Sequence, residues 1–348
     1  MSDEGSPIPM AENMSHTITI HPKGLTFEAD ENKTILDAAA EVGIRMLKSC
    51  DNGVCEICRA NLIAGTVENR KGIYKAGDAA VSPLLPCIVK ARSDLILEQD
   101  KVLAPGEISL QHIAFQITEV AALTSDVYRI ELLAPAGKLP DFHAGQYCEL
   151  LIEDGEYPFT IASAPGTREM ELHLGVTPDN ESAQQILSYL QKNSTVRIRL
   201  PKGDVWTCAE SHPNNLHDPL VFVVAGTGFA QAKAMIEEQL KHQHPALFLY
   251  WINKDCDGFY SDLPEQWVKQ GLIKYRGMCT DNESCGQHDA RPVEECMLED
   301  LSDLSRLRVI ACGGPGFVYS VLDGLESKGL KESQMSSDVF AYAPRPKK

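Results

Sequence analysis

Apolar positions along this chain follow three different rhythms in succession. From Thr17 to Ile20 and from Leu25 to Phe27 apolar and polar residues alternate, which predicts two short strands turning at Pro22-Lys23-Gly24. Thr34 then precedes Ile35, Leu36, Ala39 and Ala40, an apolar stripe at helical spacing with a capping residue in front of it. Asn61-Leu62-Ile63, Cys87 to Ala91 and Asp94 to Glu98 read as further strands. This is a small α+β module over residues 14–104, closed by the breaker Ala104-Pro105-Gly106. Residues 1–13 are polar and proline-bearing and read as a disordered lead-in.

A second rhythm occupies residues 108–213. Short alternating stretches recur at Ala114 to Val120, Val127 to Leu133, Tyr147 to Ile152, Glu171 to Val176 and Val196 to Leu200, separated by glycine and proline. Only Ala183 to Lys192 has a helical period. Strands at this spacing predict an all-β antiparallel barrel. From 216 to 343 the pattern changes to βα repeats. Leu220 to Ala225 and Leu307 to Cys312 are continuous apolar runs, as expected of parallel strands covered on both faces. Phe248 to Trp251 is a third strand, and Gln231 to Lys241, Leu263 to Lys269 and Val318 to Leu325 are helices. The last region is therefore a doubly wound α/β domain, with ligands expected at the carboxyl ends of its strands.

Composition narrows the function. The 348 residues carry a formal charge of −17, which disfavours nucleic acid because phosphate binding needs a basic surface. Up to Lys101 there are 15 acidic and 11 basic residues, so most of the negative charge lies further on. No run of eighteen apolar residues suits a membrane span, and the N-terminus lacks a signal-peptide pattern. Eleven cysteines without an export signal fit reduced thiols in a cytoplasm.

The densest chemistry is the stretch CDNGVCEIC. Cys50, Cys55 and Cys58 are spaced C-x4-C-x2-C, and Cys87 follows downstream. This arrangement places four thiolates around a [2Fe–2S] cluster, Cys50 and Cys55 on one iron, Cys58 and Cys87 on the other. Structural zinc usually shows two C-x2-C hooks, and only one exists here, so the pattern favours the cluster. The loop must wrap tightly with its amides turned inward, and Gly53 supplies the backbone freedom.

With these motifs in view, residues 14–104 resemble the plant-type ferredoxin β-grasp domain, and the rest resembles the ferredoxin–NADP reductase superfamily. The flavin-strand pattern R-x-[YF]-[ST]-x-x-[ST] of that superfamily matches Tyr157-Pro158-Phe159-Thr160-Ile161-Ala162-Ser163 except at its first position. The words HAGQY, LHLGV, PKGDVW and DVFAY support the comparison, which lies nearest to NAD(P)H–flavin reductases and CDP-6-deoxy-3,4-glucoseen reductases. The resemblance implies that Phe159 lies against FAD and that Thr160 offers its hydroxyl to the flavin N5. Pro158, Ser163, Gly175 and Ser182 join the flavin contacts, with Asn180 or Ser182 capping a helix whose N–H groups suit the pyrophosphate. Tyr157 stands where the family has an arginine that pairs with phosphate, so flavin is expected to bind loosely.

Gly226-Thr227-Gly228 follows the first parallel strand and precedes a helix, a turn whose amides can approach phosphate. Alone it is a weak signal. Cys312-Gly313-Gly314-Pro315 is more specific: in the family this turn carries nicotinamide to the flavin, with the cysteine beside the transferred hydride. Asp255 suits a ribose hydroxyl and Lys254 a 2′-phosphate, so NADH is favoured and NADPH stays open. Cys279, Cys285 and His288 match no metal hook, and their acidic loop reads as solvated. Phe340 and Tyr342, taken as a terminal strand, either cover the flavin or belong to the core.

Three cofactor modules on one chain imply a cytoplasmic iron–sulfur flavoprotein reductase. Electrons would run from NAD(P)H through FAD and the cluster to an acceptor protein, a dehydratase as in the glucoseen reductases or an oxygenase. A redox-sensing or docking protein with a decayed flavin site is the reading from another class, and Tyr157 is what invites it.

Overall fold

The computed structural model describes residues 14–153, 155–207, 218–254, 258–280, 289–301 and 303–345. The expected lead-in, Asp255, Cys285 and His288 lie outside the described residues. Two compact units divide the chain, the first ending at Ser109 and the second beginning at Leu110.

In the first unit, strands β1 (Ser15–His21) and β2 (Leu25–Asp30) form the expected hairpin, and α1 (Ile35–Glu41) follows. Thr34 caps it, its Oγ1 accepting from the Asp37 amide at 3.1 Å. Then come β3 (Arg45–Met46), β4 (Asn61–Ala64), β5 (Thr66–Asn69), β6 (Gly72–Lys75), β7 (Lys90–Ala91), β8 (Leu95–Glu98) and β9 (Val102–Leu103). The main sheet runs β2-β1-β8-β4, with β1 and β8 parallel. Alternate residues of these strands, Ile18, Ile20, Leu95 and Leu97, share one core with Ile35 and Leu36 of the helix.

One expectation fails here. Cys87 to Val89 is not strand, and β7 starts only at Lys90. The carbonyls of Pro86 and Val89 are taken instead by the amides of Leu36 and Ile35 at the helix start, and the Ile88 amide turns back to Leu85. The chain spends its hydrogen bonds on the helix N-terminus, which has orphan donors to satisfy.

The second unit opens with β10 (Gln111–Ala122), β11 (Val127–Leu133), β12 (Tyr147–Ile152), β13 (Gly155–Thr160) and β14 (Glu169–Gly175). Helix α2 (Glu181–Lys192) and β15 (Thr195–Lys202) complete this part. The antiparallel order is β13-β12-β15-β10-β11-β14. A bridge between Ile161 and Leu172 brings the two outer strands together, so the sheet curls into a half-barrel around Phe115, Ile130, Leu150 and Ile198. Ala183, Ile186 and Leu190 give α2 a buried stripe against this core.

The remaining elements are β16 (Leu220–Ala225), α3 (Phe229–Lys241), β17 (Leu247–Asn253), α4 (Leu263–Lys269), β18 (Lys274–Cys279), α5 (Val293–Asp300), β19 (Arg308–Cys312), α6 (Pro315–Ser327), β20 (Met335–Ser336) and α7 (Val339–Tyr342). All strands are parallel, in the order β18-β17-β16-β19-β20. The apolar run in β16 has the expected cause. Val221 and Val223 enter one core while Leu220, Phe222 and Val224 enter the other, so both sheet faces are covered. The terminal aromatics do not form a strand. Val339–Tyr342 is a helical turn, with Phe340 packed near Tyr319 and Tyr342 exposed.

Candidate functional site

Two places collect the candidate residues, one in each unit. In the first, Cys50 to Cys58 forms an irregular loop between β3 and β4. Gly53 has φ +79°, and Asp51 and Glu56 also take left-handed conformations at 50° and 55°. A side chain at Gly53 would stand 2.7 Å from Ile88 Cδ1, so glycine is required by space as well as by angle. The tight path turns amides inward as expected: Asn52, Cys55 and Val54 face the Cys50 sulfur, Cys55 N at 3.3 Å. Those donors pull the Cys50 thiol down to about 6.

The Gly53 amide faces Cys87, whose thiol is nonetheless raised to about 11 by burial and by Cys58. Cys58 Sγ and Cys87 Sγ are 3.4 Å apart, about the separation of two thiolates on one tetrahedral metal. No group of three or more His, Cys, Asp or Glu among the described residues is arranged to hold a single ion. Thiols standing as two pairs inside an amide-lined loop fit a two-iron cluster, in which each iron takes only two protein ligands. Cys55 is exposed, Cys50 half-buried, and Cys58 and Cys87 are buried. Not every other cysteine is a free thiol: Cys279, expected to be reduced, is disulfide-bonded.

In the second unit a cavity of about 920 Å³ opens between the half-barrel and the parallel sheet. Pro158, Phe159 and Thr160 line it from β13, and Thr227, Gly228, Cys312, Gly313 and Gly314 line it from the ends of β16 and β19. The two glycine turns touch. A Cβ on Gly228 would stand 2.4 Å from the Cys312 carbonyl oxygen, so only glycine lets the turns meet. Gly226, with φ +52°, and Gly314 and Gly316 at the start of α6 have open space where a Cβ would be, a cradle of bare backbone amides at a helix N-terminus. Phe159 is 9% exposed and also belongs to the half-barrel core.

Other expected contacts lie elsewhere. Tyr157 faces a separate hollow beside α2, its ring folded over Gly155. Ser163 Oγ accepts from the Glu171 amide at 3.0 Å and lines a third hollow. Ser182 is exposed in the first turn of α2, and Asn180 is the cap, accepting from the Ala183 amide at 3.0 Å. Gly175 approaches Thr227, and Pro315 is the first residue of α6. Asn253, at the carboxyl end of β17 near the expected ribose position, is buried, and its Nδ2 has no partner among the described residues.

Sequence reasoning missed Asp338. Its carboxylate lies in the cavity and accepts from Gln231 Nε2 at 2.8 Å, while the same nitrogen donates to the Gly145 carbonyl. Burial raises Asp338 to about 6, and Asp204 adds to the rise against the Gln231 bond. The Cys312 thiol is pushed well above its ordinary range by burial and by Asp338. Also missed was the grip of α3 on the segment that continues β13. Lys233 Nζ donates to the Ala162 carbonyl at 3.0 Å and pairs with Glu171 and Glu237, while Glu237 accepts from the Ala164 amide. His173 bridges Glu171 and Tyr260 at 2.6 and 3.0 Å.

Comparison with known proteins agrees with this layout. Residues 18–92 match the family described as 2Fe-2S iron-sulfur cluster binding domain. A CDP-6-deoxy-L-threo-D-glycero-4-hexulose-3-dehydrase reductase of Yersinia pestis is 30% identical over 331 residues, covering 94% of this chain and 99% of that one. The reductase component 1 of a terephthalate 1,2-dioxygenase of Comamonas sp is 27% identical over 341 residues, covering 95% and 99%. Among solved structures, the ferredoxin reductase in carbazole 1,9a-dioxygenase shares the fold with a TM-score of 0.58 at 18% identity, covering 94% and 99%.

Proposed function

Since this chain belongs to the ferredoxin–NADP reductase superfamily, in the branch with an N-terminal [2Fe–2S] domain, we propose that its two sites divide the work of an iron–sulfur flavoprotein reductase between electron-pair entry and single-electron exit. When bound, nicotinamide supplies a hydride, and flavin lets the pair pass on to the cluster one electron at a time. The chain's own residues supply position and protonation. Thiolates of Cys50, Cys55, Cys58 and Cys87 would hold the cluster, with the 52–55 amides offsetting their negative charge. Thr160 would present its hydroxyl to the flavin, and the amides around Gly226, Gly228 and Gly314 would receive the dinucleotide phosphates.

Cys312, its thiol pushed up by burial, would pack as a neutral thiol beside the nicotinamide rather than act as a nucleophile. Asp338, raised to about 6 by burial, gives up its proton as pH rises through that value, at the wall of the same cavity. The observation that carries this reading is the meeting of Thr160, Gly228 and Cys312 in one cavity.

The acceptor we favour is a dehydratase acting on a CDP-linked deoxyhexulose, because that relative matches nearly end to end at the higher identity. A cytoplasmic setting goes with it; no helix among the described residues is long and apolar enough to cross a membrane. The test is an absorbance spectrum under argon with reconstituted iron and sulfide. Flavin and cluster bands that bleach on adding NADH support the reading, and colourless, iron-free protein rejects it. NADH consumption that rises with such a dehydratase, and not with an oxygenase component, would fix the partner; the reverse would reassign it. Robust NADH-dependent reduction of cytochrome c with added FAD would exclude a sensor.

A further inference from the structure

We propose that Gln99 is the positioning residue that sets Cys58 for the cluster; the inference rests on the reading of Cys58 as a ligand. Gln99 follows the last residue of β8 and is only 7% exposed. Its backbone amide is tied to the His21 carbonyl at 2.9 Å, so the side chain projects from the sheet and not from the cysteine loop. Its Nε2 donates to two successive carbonyls, Cys58 O at 3.1 Å and Arg59 O at 3.2 Å.

The other halves of those peptides are also committed. Arg59 N donates to Glu56 O at 3.2 Å, and Ala60 N to Leu84 O at 2.9 Å. Leu84 N answers to Ala60 O at 2.9 Å, which ties the segment carrying Cys58 to the one carrying Cys87. Every polar group of the two peptides following Cys58 is thus fixed, and Gln99 fixes both carbonyls.

The arrangement has a cost that a mere space-filler would avoid. Gln99 Oε1 is buried with no hydrogen-bond partner among the described residues. A buried amide with an orphan oxygen is unfavourable unless its N–H groups do something the fold needs. Here they keep two carbonyl dipoles from swinging toward the Cys58 sulfur, which stands 3.4 Å from that of Cys87. Partners of ligands commonly govern metal retention and redox poise in this way. A methionine at this place would fill the space, lose both donors and remove the orphan. A lysine would keep a donor of similar reach.

The experiment uses the full chain with its cluster reconstituted. Gln99→Met is expected to keep the wild-type circular dichroism yet surrender iron to a ferrous chelator about tenfold faster. Its electron paramagnetic resonance signal should change, and its midpoint should move to more negative potential as carbonyl oxygens approach the sulfur. Gln99→Lys should release iron close to the wild-type rate. Iron release, signal and midpoint all unchanged in Gln99→Met would overturn the proposal, as would equally fast release from both variants. If Gln99→Met gives no folded protein, Gln99→Lys decides: wild-type retention supports the proposal and rapid loss overturns it. A wild-type chain that takes up no cluster overturns the ligand reading and this inference with it. An unaffected Gln99→Met beside a loaded wild type overturns this inference alone.

Discussion

Tyr157 stands where the resemblance to the flavin-strand pattern expects an arginine, and it packs partly against the half-barrel core. A charge-assisted bond to phosphate is worth about 1.5–3 kcal/mol. Tyr157→Arg should therefore tighten FAD roughly ten- to a hundredfold in a fluorescence titration, leaving the cluster spectrum unchanged. Unimproved affinity would show that this position does not reach the phosphate. Asp338 gives a prediction with a sign. Its folded value of about 6 lies above the ordinary carboxylate value, so the folded state holds the proton more tightly than the unfolded one. Stability from this group is complete below the unfolded value of about 4 and is lost as pH rises through 6. Asp338→Asn keeps an acceptor for Gln231 and carries no charge to bury. Its advantage over the wild type should grow from near zero in acid to roughly 1–3 kcal/mol above pH 7, read from urea midpoints across the range. The cysteine spacing was visible in the sequence because such a motif is written as separations along the chain. Asp338 was not: a carboxylate in a terminal DVFAY looks like surface charge until the fold buries it beside Gln231.

Helix α3 is the element on which the second site turns. It starts at the Gly226–Gly228 turn, and one helical face down it carries Lys233 and Glu237, which hold the Ala162 carbonyl and the Ala164 amide. The Gly226–Gly228 turn and the segment after β13 are thereby indexed to one rigid rod. Lys233 is 11% exposed, and removing it takes the cation from two half-buried carboxylates, leaving Glu171 with His173 and Glu237 with the Ala164 amide. Lys233→Met should cost about 1–2 kcal/mol in chemical denaturation and slow flavin reduction by NADH in stopped flow. A double variant with Glu237→Gln should recover part of the stability; no recovery would argue against the pairing. Elements with strong periodicity were legible beforehand, β16 and α4 to the residue. Others were not. β18 reads KYRGMC because it is an edge with one neighbour, β5 and β6 are polar pairs, and α7 was taken for a strand since four residues cannot declare a period.

At the scale of the whole chain, the boundary between Ser109 and Leu110 separates the cysteine loop from the cavity. A fragment beginning at Leu110 should bind FAD and reduce ferricyanide with NADH, yet lose reduction of cytochrome c by tenfold or more, about 1.4 kcal/mol or greater in apparent barrier. Equal loss of both activities would mean that the second unit needs the first in order to fold. The order of modules was legible because each has its own hydrophobic rhythm. The sharing of one unit by half-barrel and parallel sheet was not, since it depends on contacts such as Gly145 against α3, where a Cβ would stand 1.9 Å from Met235 Cε.

The four cysteines proposed as ligands differ in shelter: Cys55 faces solvent while Cys58 and Cys87 are enclosed. Peroxide and molecular oxygen thus meet one corner well before the opposite one. Weathering in air should begin with a sulfenic acid at Cys55, leaving the inner pair intact for a time. A bleached preparation caught early is one that fresh thiol could still repair.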